Sequence, residues 1–309
     1  GEGETSVVKG DPDTLKDGVT KVGEKVTESA KEYEDGKGNV ATIPIDFAIV
    51  PGKTDIENGL VISDVENDTE DTGNQFVWVP VKDMTTFVRE VGYYNGQIQT
   101  ETNGIVDFSK CSEPYETNLG EKQEYENMLA SVKEYGGFYI GRYEISNDGA
   151  EKAQSKKGKE PWVNIKWGNS MTETNGGIVE KAKNMYREGE SEKGKVVSTL
   201  MYGVAWDETI RFIKKNYPNI EKDSSGYGNY EKSSTIPTGS KDEYALNNIY
   251  DIAGNVWEWT MEVYSTSTHV HRGGSYLDTG LCCSLSSRGI NNITYDIINA
   301  GGRAQLYIK

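Results

Sequence analysis

The 309 residues include three cysteines and two histidines, and their spacing decides what metal, redox or nucleophilic chemistry is open to the chain. Cys282 and Cys283 are adjacent while Cys111 is distant, so the three make no disulfide framework, and at least one thiol is expected to be free. Two vicinal thiolates cannot easily both point at one metal without strained backbone. His269 and His271 stand two residues apart and share one face of a strand. No carboxylate falls at a recognised ligand spacing from them, so a surface pair beside a strand is expected. The sequence shows no nucleophile elbow, phosphate-cradling glycine loop or zinc-ribbon spacing.

The elements that must position these residues are short. Glycine (35) and tyrosine (19) are plentiful and proline (8) is scarce, which suits a loop-rich mixed fold better than a helical bundle. A net charge of -16 argues against a nucleic-acid partner, which needs a basic stripe. No apolar run reaches membrane-spanning length. Residues 1–40 are polar with little periodicity and read as a stalk or extension, leaving 41–309 as a single domain. Strands are expected over 41–50, 59–65, 75–81, 137–146, 256–263, 269–276 and 304–308. Helices are expected over 121–135, 177–188 and from Trp206 to Tyr217, the last stopped by Pro218. Residues 224–242 read as a surface loop, and 277–302 show no clear period over about 26 residues, longer than an ordinary connection. In the strand at 256–263, Trp257, Trp259 and Met261 share one face and Glu258 and Glu262 the other. Gly273 and Gly274 are expected to let backbone approach those two indoles.

Four segments together resemble the formylglycine-generating enzyme (sulfatase-modifying factor) superfamily: PWVNIKW (Pro161–Trp167), STLMYGVAWDETIRF (Ser198–Phe212), NNIYDIAGNVWEWTMEV (Asn247–Val263) and HRGGSY (His271–Tyr276). The set spans roughly 150 residues, and GNVWEW followed by RGGSY is its most specific part. The resemblance implies an α+β, C-type-lectin-like fold: a small twisted antiparallel sheet, two packed helices and extensive loops. The family's glycine-aromatic-arginine ending stands here as Gly301-Gly302-Arg303, without the aromatic ring.

In catalytic relatives two spaced cysteines after the GGS segment hold copper. Here Asp278 occupies the first slot, and the adjacent Cys282 and Cys283 lie near the second. No copper is expected, and a formylglycine-generating-type oxidoreductase using Cys282 or Cys283 is the alternative reading. The resemblance also implies calcium, held by the side chains of Asp251 and Glu258 and the carbonyls of Gly254 and Val256. Such an all-oxygen set suits that ion.

Residues 271–304 contain no Lys, Glu, Gln, Met or Trp, although these five types make up roughly a quarter of the chain. Those are the types that an asparagine codon cannot reach by replacement of its adenines alone. The segment therefore resembles the diversified region of the variable proteins of diversity-generating retroelements, which share this lectin-type fold. Its side chains follow neither strand nor helix period, and the expected ligand-binding set is Leu277, Asp278, Leu281, Cys282, Cys283, Leu285, Ser287, Gly289, Ile290, Asn291, Asn292, Ile293, Tyr295, Asp296, Ile297 and Ile298. Its apolar content points to a protein partner rather than a glycan. The expectation is a non-catalytic receptor- or adhesin-like protein, extracellular or cell-surface, with any leader or anchor outside the sequence given. A surface or pilus-like structural subunit is a further alternative.

Overall fold

The computed structural model describes residues 13–309 except 101, 104–105, 115–118 and 190–191. The expected boundary at residue 40 is not a boundary. β1 (Lys31–Glu34) pairs antiparallel with β2 (Val40–Ile43), and Leu15, Val26 and Tyr33 are buried in the main core. The apolar residues that anchor this segment are few and far apart, so its sequence looks like a polar tail. Residues 1–12 of the expected stalk lie outside the described residues.

The chain continues through β3 (Ala48–Ile49), β4 (Val61–Ser63) and β5 (Gln75–Pro80). Phe76, Val77, Trp78 and Val79 are all buried, as befits a central strand covered on both faces. The hairpin β6 (Tyr93–Tyr94) and β7 (Gln97–Ile98) follows. Helix α1 (Leu119–Tyr135) then buries Met128 and Val132, and Gly136 ends it at φ +82°, its amide donating to the Val132 carbonyl. After β8 (Gly137–Gly141) come the small ladder β9 (Ser146–Asn147) with β10 (Ala153–Gln154), and α2 (Ile178–Asn184), shorter than the spacing predicts.

Strand β11 (Val196–Leu200) leads into α3 (Gly203–Lys214), which starts before Trp206. Its extra turn is held from a distance: the Val204 amide donates to Glu113 Oε1 at 3.0 Å, a cap invisible in the local sequence. The ladder β12 (Ala245–Leu246) with β13 (Ile249–Tyr250) precedes β14 (Trp257–Ser265), β15 (Thr268–Arg272), β16 (Arg288–Asn292), β17 (Ala300–Gly302) and β18 (Ala304–Ile308). Two sheets result. One runs β11-β18-β8-β5-β4-β3; the other runs β16-β15-β14-β17, antiparallel except where β14 meets β17. Together with three α-helices among the described residues, this is the α+β, loop-rich architecture expected.

One sequence expectation needs correction, and one departure from the family pattern has a packing reason. Residues 224–242 are not merely a surface loop, because Ser224, Asn229, Tyr230 and Thr238 are buried. The missing aromatic before Arg303 reflects different packing. A Cβ on Gly302 would come within 2.8 Å of Ile178 Cδ1 and 2.9 Å of Leu200 Cδ1, so those two residues already fill the space. Gly302→Phe is expected to destabilise the protein by roughly 1–3 kcal/mol through overpacking. A urea midpoint that does not move would refute this account.

Candidate functional site

The carboxy-terminal segment leaves β15 through Gly273 and Gly274, both with positive φ. A Cβ on Gly273 would meet Trp206 Cζ2 at 3.3 Å, and one on Gly274 would meet the Cys283 carbonyl at 2.2 Å. The rings approached are therefore Trp206 and Tyr230, not Trp257 and Trp259 as the sequence suggested. Asp278 ties the first loop, accepting from the Ser275 amide at 2.9 Å and hydroxyl at 3.0 Å. Tyr230 places its hydroxyl 2.9 Å from the Cys283 carbonyl. Asn299 Nδ2 donates to Ser275 Oγ at 3.0 Å, coupling this loop to the second one, which follows β16. The second loop is itself clamped by the Asn164 amide on the Ile297 carbonyl and the Gly168 amide on the Ile293 carbonyl.

On these clamped loops the expected ligand residues divide. Leu277 (59 % exposed), Leu281 (44 %), Tyr295 (58 %) and Ile298 (62 %) present large apolar side chains to solvent, with Asp296 also exposed. Asp278, Cys282, Ile290, Asn291, Asn292 and Ile297 are half-buried. Cys283, Leu285, Ser287, Gly289 and Ile293 are buried and cannot meet a ligand. Leu285 and Ile293 sit in the main core. Gly289 lies opposite His271, where a Cβ would come within 2.2 Å of the imidazole.

Sequence reasoning missed the β6–β7 hairpin as part of this surface. Its Asn95 amide donates to the Cys282 carbonyl at 3.3 Å, a Cβ on Gly96 would lie 3.2 Å from Leu281 Cδ1, and Ile98 is exposed. No signal in the carboxy-terminal segment could have pointed to a hairpin so distant in the chain.

Beneath the loops lies a buried charge network. Arg288 donates from Nε to Glu262 Oε2 and from Nη2 to Asp207 Oδ2, both at 2.9 Å. Arg272 donates to Asp207 Oδ1 at 2.8 Å, and Arg89 to Glu262 Oε1 at 2.9 Å. Burial alone would raise the carboxyls of Asp207 and Glu262, but the facing guanidinium groups hold both below their usual range. Burial pushes Glu113, beside Arg89, up to about 8.

The histidine pair is also interior, not on the surface. His269 packs edge-on against Trp167 with centroids 4.2 Å apart, and His271 lies between Trp257 and Trp259. The rings lie opposite Val263 and Trp259 on β14, so tryptophans rather than water cover them. Burial lowers both imidazoles to about 3, which keeps them neutral. Asn291 Nδ2 then donates to His271 Nε2 at 2.8 Å.

The copper of the catalytic relatives and the calcium that the resemblance implies fare differently. Among the described residues only Asp278, Cys282 and Cys283 bring three side-chain donors together. Cys282 and Cys283 are, however, neighbours in the chain with their sulfurs turned to each other and Cys283 buried, and Cys111 is a separate, buried thiol. A carboxylate with two adjacent cysteines does not reproduce the spaced cysteine pair that holds copper in the catalytic relatives. The calcium set fits in part. Asp251 is buried with Oδ1 unpartnered, as a missing cation would leave it. Glu258 is not available in the same way, because Arg303 donates from Nε to its Oε1 at 2.8 Å and from Nη2 to its Oε2 at 3.2 Å.

The sulfatase-modifying factor enzyme 1-like domain matches residues 116–304. No curated protein matches the chain. Among solved structures it is similar to CarF, at 16 % identity over 56 % of this chain and 87 % of that one, TM-score 0.41. It is similar to PvdO from Pseudomonas aeruginosa, at 12 % identity over 76 % and 95 %, TM-score 0.44. It is also similar to Treponema denticola variable protein 1, at 14 % identity over 77 % and 97 %, TM-score 0.42. With more than half of its length matched, and with GNVWEW running into β14 where Glu258 pairs with Arg272, the start of RGGSY, on β15, the chain belongs to the sulfatase-modifying factor enzyme 1-like family.

Proposed function

We infer that the chain is a non-catalytic ligand-binding protein of the retroelement variable type, which displays side chains from residues 277–298 on two clamped loops. The observation that carries this reading is the set Leu277, Leu281, Tyr295 and Ile298, four large apolar side chains held in solvent by loops whose backbones are fixed from below. A monomer gains nothing by ordering such side chains in water, whereas a partner gains preformed apolar anchors. Their number favours a protein partner over a glycan, and such display implies an extracellular or cell-surface setting. No helix among the described residues is long and apolar enough to cross a membrane.

Two measurements test the reading. The chromosomal neighbourhood is expected to hold a reverse-transcriptase gene and a near-copy of the carboxy-terminal coding segment differing mainly at adenines. Their absence overturns the retroelement assignment. Serine at each of the four exposed positions is expected to change stability by no more than about 0.5 kcal/mol, whereas Leu285→Ser costs several times that. Comparable losses at both classes, read by denaturant titration, would show that the exposed set belongs to the fold rather than to a ligand.

A further inference from the structure

Acidic side chains outnumber basic ones in this chain, 49 to 33, yet one cleft reverses the balance. It has a volume of about 1040 Å³ and is walled by the β9–β10 ladder, the end of α2, the connection from β2 to β3 and the start of β11. Six cationic and five acidic side chains line it, and none of its lining belongs to the 277–298 loops. The cations arrive from separate stretches of chain: Lys25, the pair Lys152 and Lys156, Lys181, Arg187 and Lys195. Lys181 and Lys195 are partly engaged, with Glu151 at 3.9 Å and with Asp46 at 3.6 Å. Lys25, Lys152, Lys156 and Arg187 make no ion pair among the described residues. Like charges gathered from distant segments repel one another, and a cleft that focuses their field draws in an anion.

The cleft is preformed. Among its apolar residues, Tyr186 packs edge-on against Phe47 and against the core residue Phe76, with centroids 5.3 and 5.9 Å apart. The Tyr186 hydroxyl donates to Asp64 Oδ2 at 3.0 Å, which fixes the ring. One wall is tied down where the Ser155 amide donates to Asn74 Oδ1 at 2.8 Å, the other where the Ile45 amide donates to the Gly194 carbonyl at 2.9 Å. A ligand therefore pays little to order the site.

The acids decide the class of ligand. A compact polyanion would be repelled by the five carboxylates of the same lining. A ligand rich in hydroxyls uses both signs: its carboxylates pair with the cations and its hydroxyls donate to the acids. Asp148 suits that role. The amides of Ala150 and Lys152, at 2.7 and 3.2 Å, and the charges of Lys152 and Lys156 hold its carboxyl below the usual range, so it stays an acceptor. The half-buried Tyr186 and Met185 offer apolar surface to the C–H faces of sugar rings. Six cations are more than one carboxylate engages, which favours a charge on each of several rings. We propose that this cleft binds an acidic oligosaccharide of the uronic acid type. It is a second site, and it does not rest on the reading of the variable loops.

The test uses the full chain and three probes: a galacturonic acid trimer, its methyl ester and tripolyphosphate. Calorimetric titration at low salt is expected to show one site for the trimer. The ester keeps every ring hydroxyl and loses only the charge, and is expected to bind about tenfold more weakly or worse, as is tripolyphosphate. With the trimer bound, hydrogen exchange is expected to slow across 148–156 and 184–188 and to be unchanged across 277–298. Lys152 and Arg187 are exposed, so a double variant carrying Lys152→Gln and Arg187→Gln is expected to keep the wild-type urea midpoint. Its affinity for the trimer is expected to fall about tenfold or more. A trimer that does not bind, binds no better than its ester, or protects only 277–298 overturns the proposal. Tripolyphosphate that binds as tightly as the trimer makes the cleft a simple anion site and also overturns it, as does unchanged affinity in the double variant. Should that variant unfold, the ester comparison and the exchange map of the wild type still decide.

Discussion

Replacing Arg288 with methionine is expected to destabilise the protein by roughly 3–5 kcal/mol, the cost of breaking a buried ion pair and leaving its partners uncompensated. Arg288 joins two acids that are also ion-paired among the described residues with Arg272, for Asp207, and with Arg89, for Glu262. It also donates from Nη1 to the Glu90 carbonyl at 2.6 Å and lies over the Phe108 ring at 4.7 Å. One side chain thus ties β16, α3 and β14 to Glu90 and Phe108, and the carboxylates it leaves behind stay in the dry interior. Equilibrium urea denaturation checks the magnitude; a loss below about 1 kcal/mol, the range of exposed pairs, would mean that water already reaches the network. The consequence for binding is direct. A segment read as freely diversified contains a position that cannot vary without loss of the scaffold, so natural variants should keep Arg288 while Leu277, Tyr295 and Ile298 differ.

That contrast also explains what the sequence could and could not reveal. Where burial is apolar and local, the reading succeeds. The closing strand Ala304–Ile308 is found residue for residue, and α3 is recognised from Trp206, Ile210 and Ile213. Where burial is polar and paired at long range, it fails. β16 reads RGINN, with a guanidinium neutralised by distant acids and a glycine required by the His271 ring, so no hydrophobic alternation exists to be seen. β15 reads THVHR, which looks like a solvated strand until Trp167, Trp257 and Trp259 close over its imidazoles. Glu258 and Glu262 alternate with indoles as a water-facing edge would, yet both are buried against arginines that come from 26 or more residues away in the chain. The exposed members of the segment, Leu277, Leu281, Tyr295, Asp296 and Ile298, stand out in the sequence for the opposite reason. They obey no period because no period constrains them, whereas the hairpin that borders Leu281 carries no such mark.

The neutral histidines lead to a crossover in stability with pH. In the unfolded chain an imidazole titrates near 6.5, while burial lowers His269 to about 3 in the folded protein. Above pH 6.5 neither state binds the proton and the difference costs nothing. Below 6.5 the unfolded state takes up a proton that the folded state refuses, so stability falls by about 1.4 kcal/mol per pH unit at this position until the folded group titrates. Other buried acids shift in the opposite sense, and a variant at one position separates the histidine from them. His269→Leu removes the titrating ring and the unpartnered Nδ1, at the cost of the contact between Nε2 and Met171 Sδ. Near pH 7 the variant is expected to lie within about 1 kcal/mol of the wild type. By pH 4.5 it should have gained roughly 2–3 kcal/mol on the wild type, because only the wild type pays for excluding the proton. Parallel stability profiles from pH 7 to 4.5 would mean that His269 takes up its proton in the folded state. The tryptophan cover over β15, on which the rigidity of the loop-bearing sheet depends, would then be open to water.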